Sequence, residues 1–214
     1  MTASDFDHLP CAAVFLDKDG TLLTDVPHNA DPARMRFAPG AANALRVLAA
    51  TGLPLHVVSN QPGVAFGYFS EAALDKVRCR LARMFAECGA TLAGFHYCPH
   101  HHEGAVARYT RHCGCRKPAP GLLLAAARAH RLNLQSSWMI GDILDDVEAG
   151  HAAGCRSLLV NCGNETQWQF TPARIPDAIT ADVELAARHI AGCVGGTRSS
   201  PTGDSTMLHH RCIV

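Results

Sequence analysis

Asp17 and Asp19 stand two residues apart where an apolar run, residues 11–16, gives way to Gly20 and Thr21. A run of that length with such flanks reads as a buried parallel strand. In open α/β sheets ligands bind outside the carboxyl ends of the strands, so both acids would be held at a crevice by a rigid element. Their spacing lets them do different work. Asp17 can be the nucleophile that takes a phosphoryl group, while Asp19, one residue into the turn, protonates the leaving oxygen and later activates water. Gly20 allows a sharp turn and a close approach to an anion. A solvated acidic turn would explain Asp-x-Asp alone; the continuation through Gly-Thr directly after a strand is more specific.

A second constellation is Cys98-Pro99-His100, twelve residues, then Cys113-Gly114-Cys115. Three thiolates and an imidazole in two close pairs are what a tetrahedral zinc ion requires, and four protein ligands leave no position for water, so the metal would be structural. The bland alternative is an accidental cluster, since His96, His101, His102 and His112 lie nearby. Arg116 and Lys117 follow at once. In water they would be a solvated patch; tied to a metal-pinned loop beside Asp17, they would bind phosphate as a bidentate fork and a point charge.

Two further strand ends carry polar groups. Residues 53–58 form an apolar run ending in Ser59, Asn60 and Gln61, which offer neutral donors to a phosphate, although turn chemistry accounts for them nearly as well. Residues 137–140 lead into Gly141 and Asp142, with Asp145 and Asp146 opening a helix. The macrodipole favours acids in a first turn, which suffices for Asp145. Asp142 suits Mg²⁺, which takes one or two carboxylates plus substrate phosphate.

The elements that must position these groups alternate along the chain. Helical stripes are expected over 40–51 (Leu45, Leu48 and Ala49 inward), from Ser70 and Glu71 (Leu74, Val77, Leu81, Met84 and Phe85), from Pro120 (Leu122, Leu123, Ala126 and Ala129) and over 182–190. Strands are expected over 11–16, 53–58, 91–97, 137–140 and 155–160. Residues 22–39 read as a loop leaving the active-site strand, broken by Pro27, Pro32 and Pro39. The expected fold is α/β, one doubly wound parallel sheet with helices on both faces. An N-terminal extension (1–10), a single domain (11–192) and a disordered, Gly- and Ser-rich tail (193–214) are expected. Within the tail, Cys212 is one place off a prenylation box.

Composition narrows the function classes. The 214 residues carry zero net charge with 18% charged side chains, which argues against a nucleic-acid or anionic-membrane binder. No secretion signal and no bilayer span of about 20 apolar residues is expected, so the location should be cytoplasmic. The ten cysteines are then thiols and metal ligands rather than disulfides.

Asp-x-Asp-Gly-Thr resembles the first motif of the haloacid dehalogenase superfamily of magnesium-dependent phosphotransferases, and Ser59 matches its second. DKDGT, SNQ, the Cys98/His100/Cys113/Cys115 loop, RKP and GDILDD occur in the order found in D-glycero-D-manno-heptose 1,7-bisphosphate phosphatases. The likeness covers roughly residues 11–190, and histidinol-phosphate phosphatases are similar, with the same zinc loop. The resemblance implies that Asp17 is nucleophile and magnesium ligand, Asp19 acid/base with its carbonyl on the metal, and Asp142 the third protein ligand. It implies that Ser59, Asn60, Arg116 and Lys117 hold phosphates, with Gln61 beside them, and that Asp146 supports the metal indirectly. The implied reaction is removal of the C7 phosphate in lipopolysaccharide-core precursor synthesis, by a monomer, with histidinol phosphate as alternative substrate.

One departure is Ile143, where the heptose phosphatases often carry Lys after the metal-binding Asp. There is no large cap insertion, so the short loops and the zinc loop are expected to shape the pocket, with substrate contacts at 25–29 and with Arg116, Arg34 and Arg36 left free for a second anionic group. The rival from another class is a non-catalytic zinc module binding a partner through the cysteine loop, which would leave four acids at strand ends without a purpose.

Overall fold

Val14, Phe15 and Leu16 are completely buried because the strand they form, β1 (Val14–Leu16), has a neighbour on each side: Val14 lies opposite Leu55 on one and Trp138 on the other. The computed structural model describes residues 11–196, so the expected extension at 1–10 and most of the expected tail, including Cys212, lie outside the described residues.

After β1 come α1 (Ala41–Thr51), β2 (Leu55–Asn60), α2 (Glu71–Glu87), β3 (Leu92–Cys98), α3 (Gly121–His130), β4 (Trp138–Gly141), α4 (Leu144–Ala153), β5 (Arg156–Val160), β6 (Ala178–Thr180) and α5 (Val183–Gly196). The strands are all parallel, in the order β3-β2-β1-β4-β5-β6. The chain first steps outward from β1 to β3, then crosses back to β4. With right-handed crossovers, α1 and α2 cover one face and α3 and α4 the other; α5 returns to the first. Side-chain alternation agrees: Val14 and Leu16 join the core of α1, α2 and α5 residues, and Phe15 packs with Leu122, Leu123 and Ala126 of α3. The doubly wound sheet expected from the sequence is therefore present. Its direction of winding reverses between β1 and β4, and the crevice at such a reversal is where ligands bind.

Several boundaries differ from the sequence expectation. β6 was not expected; at three residues it is too short for a periodic signal, against a mean of about 5–6. Pro120 precedes α3 rather than lying in its first turn. Residues 193–196, expected in the tail, are instead the end of α5, which continues to Gly196, and Cys193 and Val194 pack against the main core. Residues 22–39 form a loop as expected, closed by a short turn at Pro32–Arg34 and a bridge from Leu23 to Phe37. Among the described residues, no helix is long and apolar enough to cross a membrane.

Candidate active site and cysteine loop

β1 and β4 are adjacent, so the residues that leave their carboxyl ends meet: Asp17, Asp142 and, one turn into α4, Asp146. A carboxylate oxygen from each lies within 4.8 Å of the other two, and all three side chains are buried. Between them stands the ammonium of Lys117, itself buried. It is bonded to Asp17 Oδ1, lies 2.5 Å from Asp146 Oδ1 and donates to the Val58 carbonyl at 3.2 Å.

One lysine does not balance three carboxylates, and the ionisation of the group shows it. Burial pushes Asp142 up to about 6, repulsion from Asp17 adds to this, and hydrogen bonds from Thr21 and Asn164 oppose it. Asp146 is pushed up to about 7 by burial, against the pull of Lys117 and with repulsion from Asp17 and Asp142. Asp17 is also raised, by burial first, opposed by Lys117. Burial alone would lower Lys117; Asp146 and Asp17 outweigh it and hold the ammonium well above its ordinary range. Hard oxygen donors with surplus buried negative charge fit Mg²⁺.

The supporting contacts are specific. Asp142 accepts from Thr21 Oγ1 at 2.7 Å and from Asn164 Nδ2 at 2.8 Å. Asp19, partly exposed, is held by Lys18 Nζ at 2.6 Å and Gln61 Nε2 at 3.1 Å. Gln61 also donates to Ser59 Oγ at 2.8 Å. Gly20 has φ +91°, and a Cβ there would sit 2.2 Å from Asp142 Oδ2 and 2.4 Å from Asn164 Nδ2. Gly20→Ala is therefore expected to cost about 1–3 kcal/mol of stability and to lower kcat/KM tenfold or more by displacing Asp142; thermal melts and steady-state kinetics check both.

Asn60 was expected to contact phosphate, and its side chain has another task here. Its Nδ2 donates to the Lys117 carbonyl and its Oδ1 accepts from the Lys117 amide, both at 3.0 Å. This two-point clamp fixes the backbone of the lysine that reaches Asp17. Arg116 has a buried Nη1 with no protein partner and lines a recess with Arg111, Lys117 and Asp145, a placement suited to an anion. The loop at 25–29 lines a neighbouring cavity of about 220 Å³ with Asp19, Asn60 and Gln61, as its position after β1 suggested. Arg34 and Arg36 do not line that cavity, and Arg36 donates to the carbonyls of Ala33 and Met35. A local turn uses the guanidinium that the sequence reading left free for a second anionic group.

The expected zinc ligands do converge. Cys98, at the end of β3, His100, Cys113 and Cys115 each present a donor atom within 4.8 Å of the other three. The sulfur–sulfur separations are 3.1–3.5 Å, far beyond a disulfide bond of about 2.05 Å and near the roughly 3.8 Å edge of a zinc–thiolate tetrahedron. His100 presents Nδ1, 3.3 Å from Cys115 Sγ, and burial followed by Arg111 lowers its basicity, keeping it in the ligating form. The donor set and spacing fit a closed tetrahedral site.

Sequence reasoning missed Lys18, the partnership of Thr21 with Asp142, and Asn164. Lys18 had a signal: a lysine at a position that strand geometry buries needs a carboxylate, and Asp19 is adjacent. Asn164 had none, because it lies in the loop after β5.

A family model described as HAD-hydrolase-like matches residues 114–186. A D-glycero-beta-D-manno-heptose-1,7-bisphosphate 7-phosphatase of Escherichia coli is 36% identical over 177 residues, covering 78% of this chain and 93% of that one. One from Pasteurella multocida is 40% identical over 152 residues, covering 71% and 82%. Among solved structures, a HAD-like phosphatase from Mesorhizobium loti superposes with a TM-score of 0.76 at 28% identity, over 91% of this chain and 90% of that one. A D,D-heptose 1,7-bisphosphate phosphatase from B. bronchiseptica, complexed with magnesium and phosphate, gives 0.72 at 26% identity, over 85% and 98%.

A parallel sheet winding in reverse order about β1, with aspartates at the ends of both central strands, defines a hydrolase of the HAD phosphatase fold. Magnesium dependence and an aspartyl-phosphate intermediate are general features of that class. Within it, the chain belongs to the D-glycero-beta-D-manno-heptose-1,7-bisphosphate 7-phosphatase family.

Proposed function

We propose that this protein removes the C7 phosphate of D-glycero-D-manno-heptose 1,7-bisphosphate, with Asp17 as nucleophile. The observation that carries the reading is the convergence of Asp17, Asp142 and Lys117 at the β1/β4 crevice, together with the names of the relatives. Asp17 attacks phosphorus, the P–O7 bond breaks, and Asp19 gives its proton to the departing sugar oxygen. In the second half Asp19 accepts a proton from water as that water attacks the phosphorus, and phosphate leaves with Asp17 restored. Lys18 and Gln61 keep the Asp19 carboxyl aimed for both transfers. Lys117 lowers the repulsion between Asp17 and an incoming dianion.

Asp17, Asp142 and the Asp19 carbonyl would hold Mg²⁺, which supplies charge neutralisation at the transferring group; Asp146, paired with Lys117, acts on the metal indirectly. Ser59, Asn60 and Gln61 border the reacting phosphate. Arg116, with its unpartnered Nη1, takes the second anionic group in place of the lysine that Ile143 replaces, and this favours a bisphosphate over histidinol phosphate.

The substrate is tested by assaying the heptose bisphosphate, histidinol phosphate and a simple sugar monophosphate together. The bisphosphate should reach kcat/KM on the order of 10⁴ M⁻¹s⁻¹ or above, and histidinol phosphate much less. Preference for histidinol phosphate, or indifference to the second phosphate, sinks the substrate assignment and leaves the phosphatase chemistry standing.

On this reading Cys98, His100, Cys113 and Cys115 bind one structural zinc that holds Arg116 and Lys117 in place. Cys113→Ser should lower the melting temperature and raise KM more than it lowers kcat, and elemental analysis of the unaltered protein should find zinc. A zinc-free protein, or a variant with unchanged melting and KM, contradicts this. The reading also takes residues 11–192 as one catalytic domain acting as a monomer in the cytoplasm, where the six described cysteines outside the zinc loop, Cys11, Cys79, Cys88, Cys155, Cys162 and Cys193, remain thiols.

A further inference from the structure

His56 is fully buried in β2, three residues before Ser59 and so roughly 10 Å below the catalytic end of the strand. It faces the α3 side of the sheet and meets two other imidazoles there. His96 of β3 and His130, the last residue of α3, approach with ring centroids 5.4 Å and 4.7 Å from it, and 5.8 Å from one another. A ring nitrogen from each lies within 4.8 Å of the other two. His56 Nδ1 and His96 Nε2 face each other at 3.2 Å; a tetrahedral ion with metal–nitrogen bonds of about 2.05 Å holds its nitrogens about 3.4 Å apart.

The backbone makes room for this pair. A Cβ on Gly94 would lie 2.5 Å from His96 Nε2 and 2.6 Å from His56 Nδ1, the same two atoms, so any other residue at 94 would fill the space between them. Without a metal, His56 Nδ1 and His96 Nε2 share a single proton in a hydrogen bond. His56 Nε2 is buried without a partner, a cost that an aliphatic side chain would avoid.

We propose that His56, His96 and His130 form a second transition-metal site, which binds zinc through three imidazoles and leaves a fourth position open beside the exposed ring of His130. Three nitrogen donors without a carboxylate select zinc over magnesium. An imidazole of ordinary basicity is mostly neutral at pH 7.5 and can ligate through a ring nitrogen. A metal here would tie β2, β3 and α3 together, the elements on either side of the cysteine loop.

The test is an equilibrium zinc titration of the intact protein at pH 7.5 against a chromophoric chelator, with metal counted per chain. His130→Ala should remove one zinc equivalent, or weaken it tenfold or more, while leaving melting temperature without added zinc and phosphatase turnover unchanged. His130→Asn, which keeps a polar group at the helix end, should behave in the same way. Cys113→Ser should retain the equivalent that His130→Ala removes, which separates this site from the cysteine loop. The stacked surface rings of His101, His102 and His112, with centroids 4.7 Å and 4.8 Å apart, are the competing binders. If both His130 variants take up as much zinc as the unaltered protein, or the equivalent is lost in His102→Ala, the three-histidine site is refuted.

Discussion

Asp17→Asn should reduce phosphatase turnover by about 10³-fold or more, the scale seen when an enzyme loses its nucleophile, with little loss of stability. The substitution keeps the shape of the side chain while removing the attacking charge and a metal ligand. The fold is expected to survive because burial, opposed by Lys117 and aided by Asp19, already disfavours the Asp17 carboxylate, so a neutral amide is tolerated there and Lys117 keeps Asp146 as its counter-ion. Steady-state kinetics and thermal melts on the same preparation separate the two effects. Turnover above about a tenth of the original would exclude Asp17 as the nucleophile.

Lys117→Met should damage both stability and activity. Among the described residues the lysine is the one cation in contact with Asp17 and Asp146, and removing one partner of a buried ion pair typically costs about 3–5 kcal/mol, because the remaining charge is left uncompensated. For a chain of this size that corresponds to a fall of roughly 10 °C or more in Tm. Turnover should fall with it, since a dianionic substrate would meet two unpaired carboxylates. Added Mg²⁺ should restore part of the lost Tm, because the exposed negative charge is that of its own ligands. A Lys117→Met protein that melts within a degree or two of the original would show that the network is not held together in this way.

The parts of the site that were legible in the sequence are those that follow from strand ends. Asp17 and Asp142 were found because an apolar run ending in an acid places that acid at a crevice, whatever the rest of the chain does. The convergence of Cys98, His100, Cys113 and Cys115 was foreseeable because they lie in two tight local pairs. What depended on folding at long range was not visible. Asn60 and Lys117 are 57 residues apart, so nothing local showed that the amide expected at the phosphate also holds a backbone. Arg36 looked like a free cation because a guanidinium's bonds to nearby carbonyls leave no trace in composition. The three histidines come from β2, β3 and the end of α3, and only the superposition of two strands and a helix brings them together. β6 escaped because three residues cannot display a period.

The clamp between Asn60 and the backbone of Lys117 also determines how the protein could change. Lys117 is fixed at its own peptide group, and the cysteine loop before it is gathered at both ends, Cys98 and His100 meeting Cys113 and Cys115. The exposed tip of that loop, around His102, Glu103 and Ala105, is thereby insulated from the Lys117 ammonium. His102 belongs to the wall of the recess that Arg116 also lines. Altered or inserted residues there would reshape what leans over the substrate without moving the chemistry beneath it, so that in a fold without a large cap this tip is the natural place to graft a new specificity.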